Sequence, residues 1–147
     1  MSVRVEGERV VEATRDEVFA ALTDPSVVVQ TVPLVESYEA HDADHWDVVV
    51  KPPLPLSRPL KLSFEVVEKR PPEYARLRAS GGKLGSGADV DSNFVLTEEG
   101  TGTHVRFHAL ISFRGALAPA EKLLEPVAQK QAQKTLDAIE AKTGSGR

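Results

Sequence analysis

The spacing of apolar residues changes twice along this chain. In Ser2–Val11, Val3 and Val5 alternate with Arg4 and Glu6, the period of a strand with one face turned inward. The next segment, TRDEVFAAL, moves to helical spacing with Val18, Phe19 and Leu22. Thr14 and Glu17 predict a capping box, in which each side chain satisfies a free backbone N–H of the first turn. Asp24 and Pro25 predict the stop, and Ser26–Thr31 a short second helix before Pro33.

From Leu34 to Arg114 the period is two. Leu60, Leu62, Phe64 and Val66 share one face, as do Ala75, Leu77 and Ala79, and Val90, Ser92, Phe94 and Leu96. In THVRFHALISFR, Thr103, Val105, Phe107, Ala109, Ile111 and Phe113 point one way. His104, Arg106, His108, Ser112 and Arg114 point the other, with Leu110 as the exception. One dry face and one wet face is the antiparallel habit. After Gly115 the helical period returns. Pro119 suits a first turn, and Pro126 must kink or restart the helix because it has no N–H to give. Leu124, Val127, Ala128, Ala132, Leu136 and Ile139 form one stripe with Gln131 and Thr135 inside it. Lys122, Gln129, Gln133, Asp137 and Glu140 lie opposite. The order predicts an α+β fold. A curved antiparallel sheet of about seven strands wraps a long C-terminal helix, with two short helices after the first strand. Residues 1–142 read as one domain, and 143–147 as a flexible tail.

Composition narrows the function. With 41% hydrophobic and 27% charged residues the chain is an ordinary globular one. A net charge of −4 with scattered Lys and Arg argues against a nucleic-acid partner. The absence of cysteine excludes disulfides, thiolate zinc sites and a cysteine nucleophile. No apolar run suggests a leader or a membrane span, so a cytoplasmic location is expected.

The glycine-rich stretch SGGKLGSGAD places Lys83 between Gly82 and Leu84, and a strand pattern follows it. A phosphate-binding loop needs Lys-Ser/Thr after its last glycine and then a helix, so a strand–strand connection is the better reading. HDADHWD gathers His41, Asp42, Asp44, His45 and Asp47, which read as a polar turn rather than a metal site. His104 and His108 sit ~13 Å apart on one strand face, too far to share an ion. No nucleophile elbow or carboxylate pair emerges. Asp89, Asp91 and His104 are the ionisable candidates for a cavity mouth, and no cofactor or metal is expected.

Small residues stand at inward positions on both layers: Ala75, Ala79, Ser92 and Ala109 on the sheet, Ala128 and Ala132 on the helix. They either let the helix sit closer or leave space. Space would be walled by Phe19, Phe64, Phe94, Phe107 and Phe113, with Gln131 as a polar group to orient a guest.

The segment VEATRDEVFAALTDPSVVVQTVPLVESYE, then RPPEYARLRASGG, then GTGTHVRFHALISFRGALAPAEKLLEPVAQKQAQKTLDAI resemble, in order and spacing, the helix-grip fold of the START and birch-pollen-allergen (SRPBCC) superfamily. Within it they are similar to the CoxG family, which takes its name from carbon monoxide dehydrogenase. The resemblance implies a cavity between sheet and terminal helix for a lipid, sterol, polyketide or quinone-like molecule. It also implies an association with molybdenum hydroxylase-type oxidoreductases. The chain is therefore expected to bind or carry a small hydrophobic ligand. The expected lining is Phe19, Trp46, Phe64, Leu77, Phe94, Phe107, Ala109, Phe113, Leu124, Ala128 and Gln131. Two alternatives stand beside it: a cyclase or dehydratase acting on an aromatic or polyketide substrate, and an accessory module for protein interaction. An oxidoreductase partner, a homodimer and peripheral membrane contact stay open.

Overall fold

Alternation along the strands and capping at the helix starts set the element order. The computed structural model describes residues 2–29, 34–52, 54–55, 58–83 and 85–143, with the backbone alone at Lys83, Ala128 and Gln129. β1 (Val3–Val11) leads into α1 (Arg15–Leu22) and α2 (Pro25–Val28). Then come β2 (Val35–Asp42), β3 (His45–Val50), β4 (Leu60–Arg70), β5 (Tyr74–Lys83), β6 (Ser86–Glu99) and β7 (Gly102–Arg114). α3 (Ala120–Leu124) and α4 (Ala128–Thr143) follow. Residues 144–147 of the expected tail, and 30–31 of the expected second helix, lie outside the described residues.

The strands form one antiparallel sheet in the order β1-β7-β6-β5-β4-β3-β2. β2 to β7 run as a meander, and β1 closes against β7, so the first strand lies beside the last. The capping box forms as expected. The Glu17 N–H donates to Thr14 Oγ1 at 3.2 Å, and the Thr14 N–H donates to Glu17 Oε1 at 3.3 Å. Asp24 caps α2 by accepting the Ser26 N–H at 2.9 Å.

The alternation puts Val105, Phe107 and Ile111 of β7, Phe94 and Leu96 of β6, Leu77 of β5, and Leu62 and Phe64 of β4 in one buried cluster. α4 packs on this face chiefly against β1 and α1. Its close approach has a local cause. A Cβ built at Gly7 would lie 3.3 Å from both Leu136 Cδ1 and Phe107 Cε1, and 3.6 Å from Ala132 Cβ. Here the small residues bring the helix down rather than leave a void.

Arg9 is the charged exception at an inward position of β1. Its guanidinium reaches α4, donating to Asp137 Oδ1 at 2.8 Å and Gln133 Oε1 at 2.7 Å, and to Glu140 as well.

Pro126 divides the C-terminal helix. A tight 3-10 turn, Glu125–Val127, separates α3 from α4. That turn shifts the phase of the stripe, since it winds at 3.0 residues per turn. Val127, expected on the inner stripe, is turned outward and 38% exposed. Leu124, Ala132, Leu136 and Ile139 are buried, together with Gln131 and Thr135. The Thr135 hydroxyl donates back to the Gln131 carbonyl at 2.9 Å.

The glycine-rich stretch is the β5–β6 hairpin, paired out to Lys83 and Ser86. A Cβ at Gly81 would fall on the Lys61 carbonyl oxygen. The glycines thus permit close approach of neighbouring strands, and no helix follows them.

Candidate ligand site

Where α4 stops covering the sheet, α3 takes over, and a crevice remains between α3 and the strands. Val50, Lys51 and Pro52 at the end of β3 form one side with Leu34. Leu62 of β4, Ala88 and Val90 of β6, and Ile111 and Phe113 of β7 form the floor. Leu124 of α3 closes it. α3 is tied down by Glu121, a buried residue whose Oε1 accepts the Phe113 N–H at 3.0 Å. The Lys51 N–H donates to the Leu34 carbonyl at 3.0 Å, which fixes the rim to the end of β3. Leu34 itself has φ 66°, the left-handed region, which costs a residue with a Cβ roughly 1–2 kcal/mol.

The crevice is small. Its volume is about 30 Å³, the share of one water molecule, whereas drug-sized ligands occupy roughly 300–1,000 Å³.

Of the residues expected to line a cavity, Phe113 and Leu124 border this crevice. Phe19, Trp46, Phe64, Leu77, Phe94 and Phe107 are buried in the continuous core, and half-buried Ala109 packs against it. Gln131 is buried, but it borders a different, open groove with Leu34, Val35, Lys134 and Ala138, on the side of α4 toward β2. The side chain of Ala128 lies outside the described residues. Sequence reasoning missed the rim at Leu34, Lys51 and Pro52, and it missed Glu121. Glu121 stands three residues before Leu124, on the same helical face, and that spacing was the available clue.

One polar atom inside is unanswered. Trp46 is 1% exposed, its ring stacks on Phe64 with centroids 6.0 Å apart and planes 7° apart, and its Nε1–H has no hydrogen-bond partner.

The ionisable candidates lie on the wet face instead. Asp91 is held by Arg76, which donates from Nε at 3.0 Å and Nη2 at 2.6 Å; these hydrogen bonds keep the Asp91 carboxyl below its usual range. Asp89 accepts from Arg114 Nε at 2.7 Å, and His104 lies 3.2 Å from Glu8. Asp89, Asp91, Glu65 and Arg78 border a broad open groove, and Leu110, the apolar exception of β7, is part of its wall. In the β2–β3 hairpin His41 pairs with Asp47 at 2.8 Å and His45 with Asp42 at 2.9 Å. Those carboxylates are thus engaged by the histidines beside them. Among the described residues no group of three or more His, Asp or Glu side chains is arranged to hold a metal.

Comparison with known proteins decides the family. The model of the carbon monoxide dehydrogenase CoxG family matches residues 7–144. The chain belongs to that family. No curated protein matches it. This CoxG-family chain is similar in fold to a conserved protein from Geobacillus kaustophilus, with TM-score 0.75, 17% identity, and coverage of 98% of this chain and 97% of that one. It is also similar to a protein from Deinococcus radiodurans, with TM-score 0.67, 14% identity, and coverage of 99% and 100%. A third neighbour is the Zhui aromatase/cyclase from Streptomyces sp. R1128, with TM-score 0.69, 15% identity, and coverage of 97% and 94%. The helix-grip architecture of the CoxG-family chain is shared with these neighbours. No helix among its described residues is long and apolar enough to cross a membrane.

Proposed function

We propose that this chain binds and carries a small hydrophobic molecule in its interior, reached through the crevice at α3, without covalent chemistry. The observation that carries the reading is the segregation of carbon from charge. Apart from Lys51 at the rim, the described crevice wall is aliphatic and aromatic, from β3, β4, β6, β7 and α3. The Arg76–Asp91 pair sits on the wet face, and the paired histidines His41 and His45 sit in the β2–β3 hairpin. Burying roughly 300 Å² of ligand carbon yields about 7.5 kcal/mol, near micromolar affinity before the costs of ordering.

Because the crevice is the size of a water, loading requires α3 and the Leu34 rim to move apart. Two features support that. α3 is five residues long and bounded by 3-10 turns at Gly115–Leu117 and Glu125–Val127. The rim residue Leu34 stores backbone strain that opening would release.

Membership in the CoxG family supports an oxidoreductase as the partner that receives or supplies the cargo. The likeness to an aromatase/cyclase supports a polyketide- or quinone-like shape for it. A cyclase or dehydratase reading is weaker, because among the described crevice-lining residues Lys51 is the one ionisable side chain and acid–base work calls for more.

Titration with Nile red tests the proposal. Ala88→Phe fills the crevice floor and is expected to lower affinity by at least about tenfold. Leu124→Ala removes the closing side chain and is expected to speed uptake. Unchanged binding and uptake in both variants, with the fold intact by circular dichroism, would refute the site.

A further inference from the structure

Among the described residues the indole of Trp46 is a donor with no acceptor. Trp46 sits on the dry face of β3, opposite Ala40 of β2 and Phe64 of β4, and Phe64 in turn lies opposite Ala79 of β5. The stacked aromatic pair is thus flanked by alanines along its row. Among the described residues, its Nε1 is the buried side-chain nitrogen or oxygen left without a partner. Indole is donor-only, so nothing but an acceptor satisfies it.

Trp46 does not line the crevice, but it stands one cross-strand step beyond the crevice floor. Leu62, part of the crevice floor, pairs with Val48, and the next cross-strand pair on that face is Trp46–Phe64. The step is two residues along each strand, roughly 7 Å. A guest that enters between Leu124 and Leu62 and parts the packed row of Val48 along β3 and β4 reaches the Trp46–Phe64 pair at its inner end.

We propose that Trp46 is the polar anchor of the ligand site, and that its Nε1–H donates to a carbonyl oxygen on an otherwise apolar guest. The inference rests on the carrier reading and adds to it a chemical requirement. The guest's body is carbon, its inward end is a ketone-type acceptor, and a pure hydrocarbon of the same shape binds less well. The guest replaces no hydrogen bond of the protein in doing so, because the donor it meets is unused.

Fluorenone and fluorene, alike in shape and differing by a carbonyl, separate the two claims. The wild-type protein is expected to bind fluorenone about tenfold more tightly than fluorene, the effect of one buried hydrogen bond to an otherwise stranded donor. In Trp46→Phe, which keeps a stacked ring, that affinity ratio falls to about one. The chain has a single tryptophan, so proton–nitrogen NMR of the wild type gives one indole resonance and needs no variant. Fluorenone should shift that resonance downfield and fluorene should not. Equal affinity for the two compounds, or an indole resonance unmoved at saturating fluorenone, overturns the anchor and leaves the apolar site standing. Binding of neither compound overturns both.

Discussion

Gly81 and Gly85 sit four residues apart and carry opposite tolerances. A methyl group at Gly81 would collide with the Lys61 backbone carbonyl, which cannot swing away as a side-chain end can. Gly81→Ala is expected to cost about 2–4 kcal/mol in urea unfolding. Gly85 has φ 79° and open space around its missing Cβ, so Gly85→Asn should cost at most about 1 kcal/mol, since Asn tolerates the left-handed region. The β2–β3 hairpin carries a pH dependence. The hydrogen bond that His41 donates to Asp47 raises the pKa of His41, and the one His45 donates to Asp42 raises that of His45; the same contacts lower both carboxylates. The histidine contribution is complete below the ordinary value of about 6.5 and is lost as pH rises through the raised pKa. The aspartate contribution is present above the ordinary value of about 3.9 and is lost as pH falls through the depressed one. NMR titration should find His41 above its ordinary range, and Asp47→Asn should return it there. That HDADHWD is a turn was legible from its composition. The partner of each histidine was not, because the register across the hairpin decides it.

Among the elements, the contact of α4 with β1 depends on what is missing at Gly7 and what is present at Arg9. Gly7→Val would push Leu136 and Ala132 outward, with an expected loss of about 1–3 kcal/mol. Arg9→Met removes the ties to Gln133, Asp137 and Glu140 while keeping the aliphatic stem. Because Asp137 is largely exposed, the expected loss is about 1 kcal/mol, read as a lower urea midpoint. Most strands and the start of α1 were legible, since Val105, Phe107 and Ile111 or Thr14 and Glu17 announce themselves by spacing. The placement of Val127 was not. Periodicity assumes one unbroken helix, and the turn at Pro126 resets the phase. Nor could spacing say whether Ala132 meant a void or a close contact. Gly7 lies on another element, more than a hundred residues away in sequence, and only the packed fold brings the two together.

For the molecule as a whole, the face of the sheet divides into a covered part and a part that α4 does not reach. The covered part holds the aromatic core expected as a cavity wall, and packing has closed it to about 30 Å³ at the α3 end. Of the expected wall, Phe113 and Leu124 border the crevice while the aromatic residues deeper in the sheet pack into the core. Neither that division nor the size of the opening was legible, because both depend on how closely layers settle. Hydrogen exchange offers a check on the loading route. Amides of Ala120–Leu124 are expected to exchange faster than those of Ala132–Ile139 in the unliganded protein, and to slow when a guest is present. The break at Pro126 has an evolutionary consequence. On the proposed loading route, the segment that would open and the beam that braces the sheet are separate parts, so substitutions between Gly115 and Val127 would retune entry while the scaffold keeps its strength.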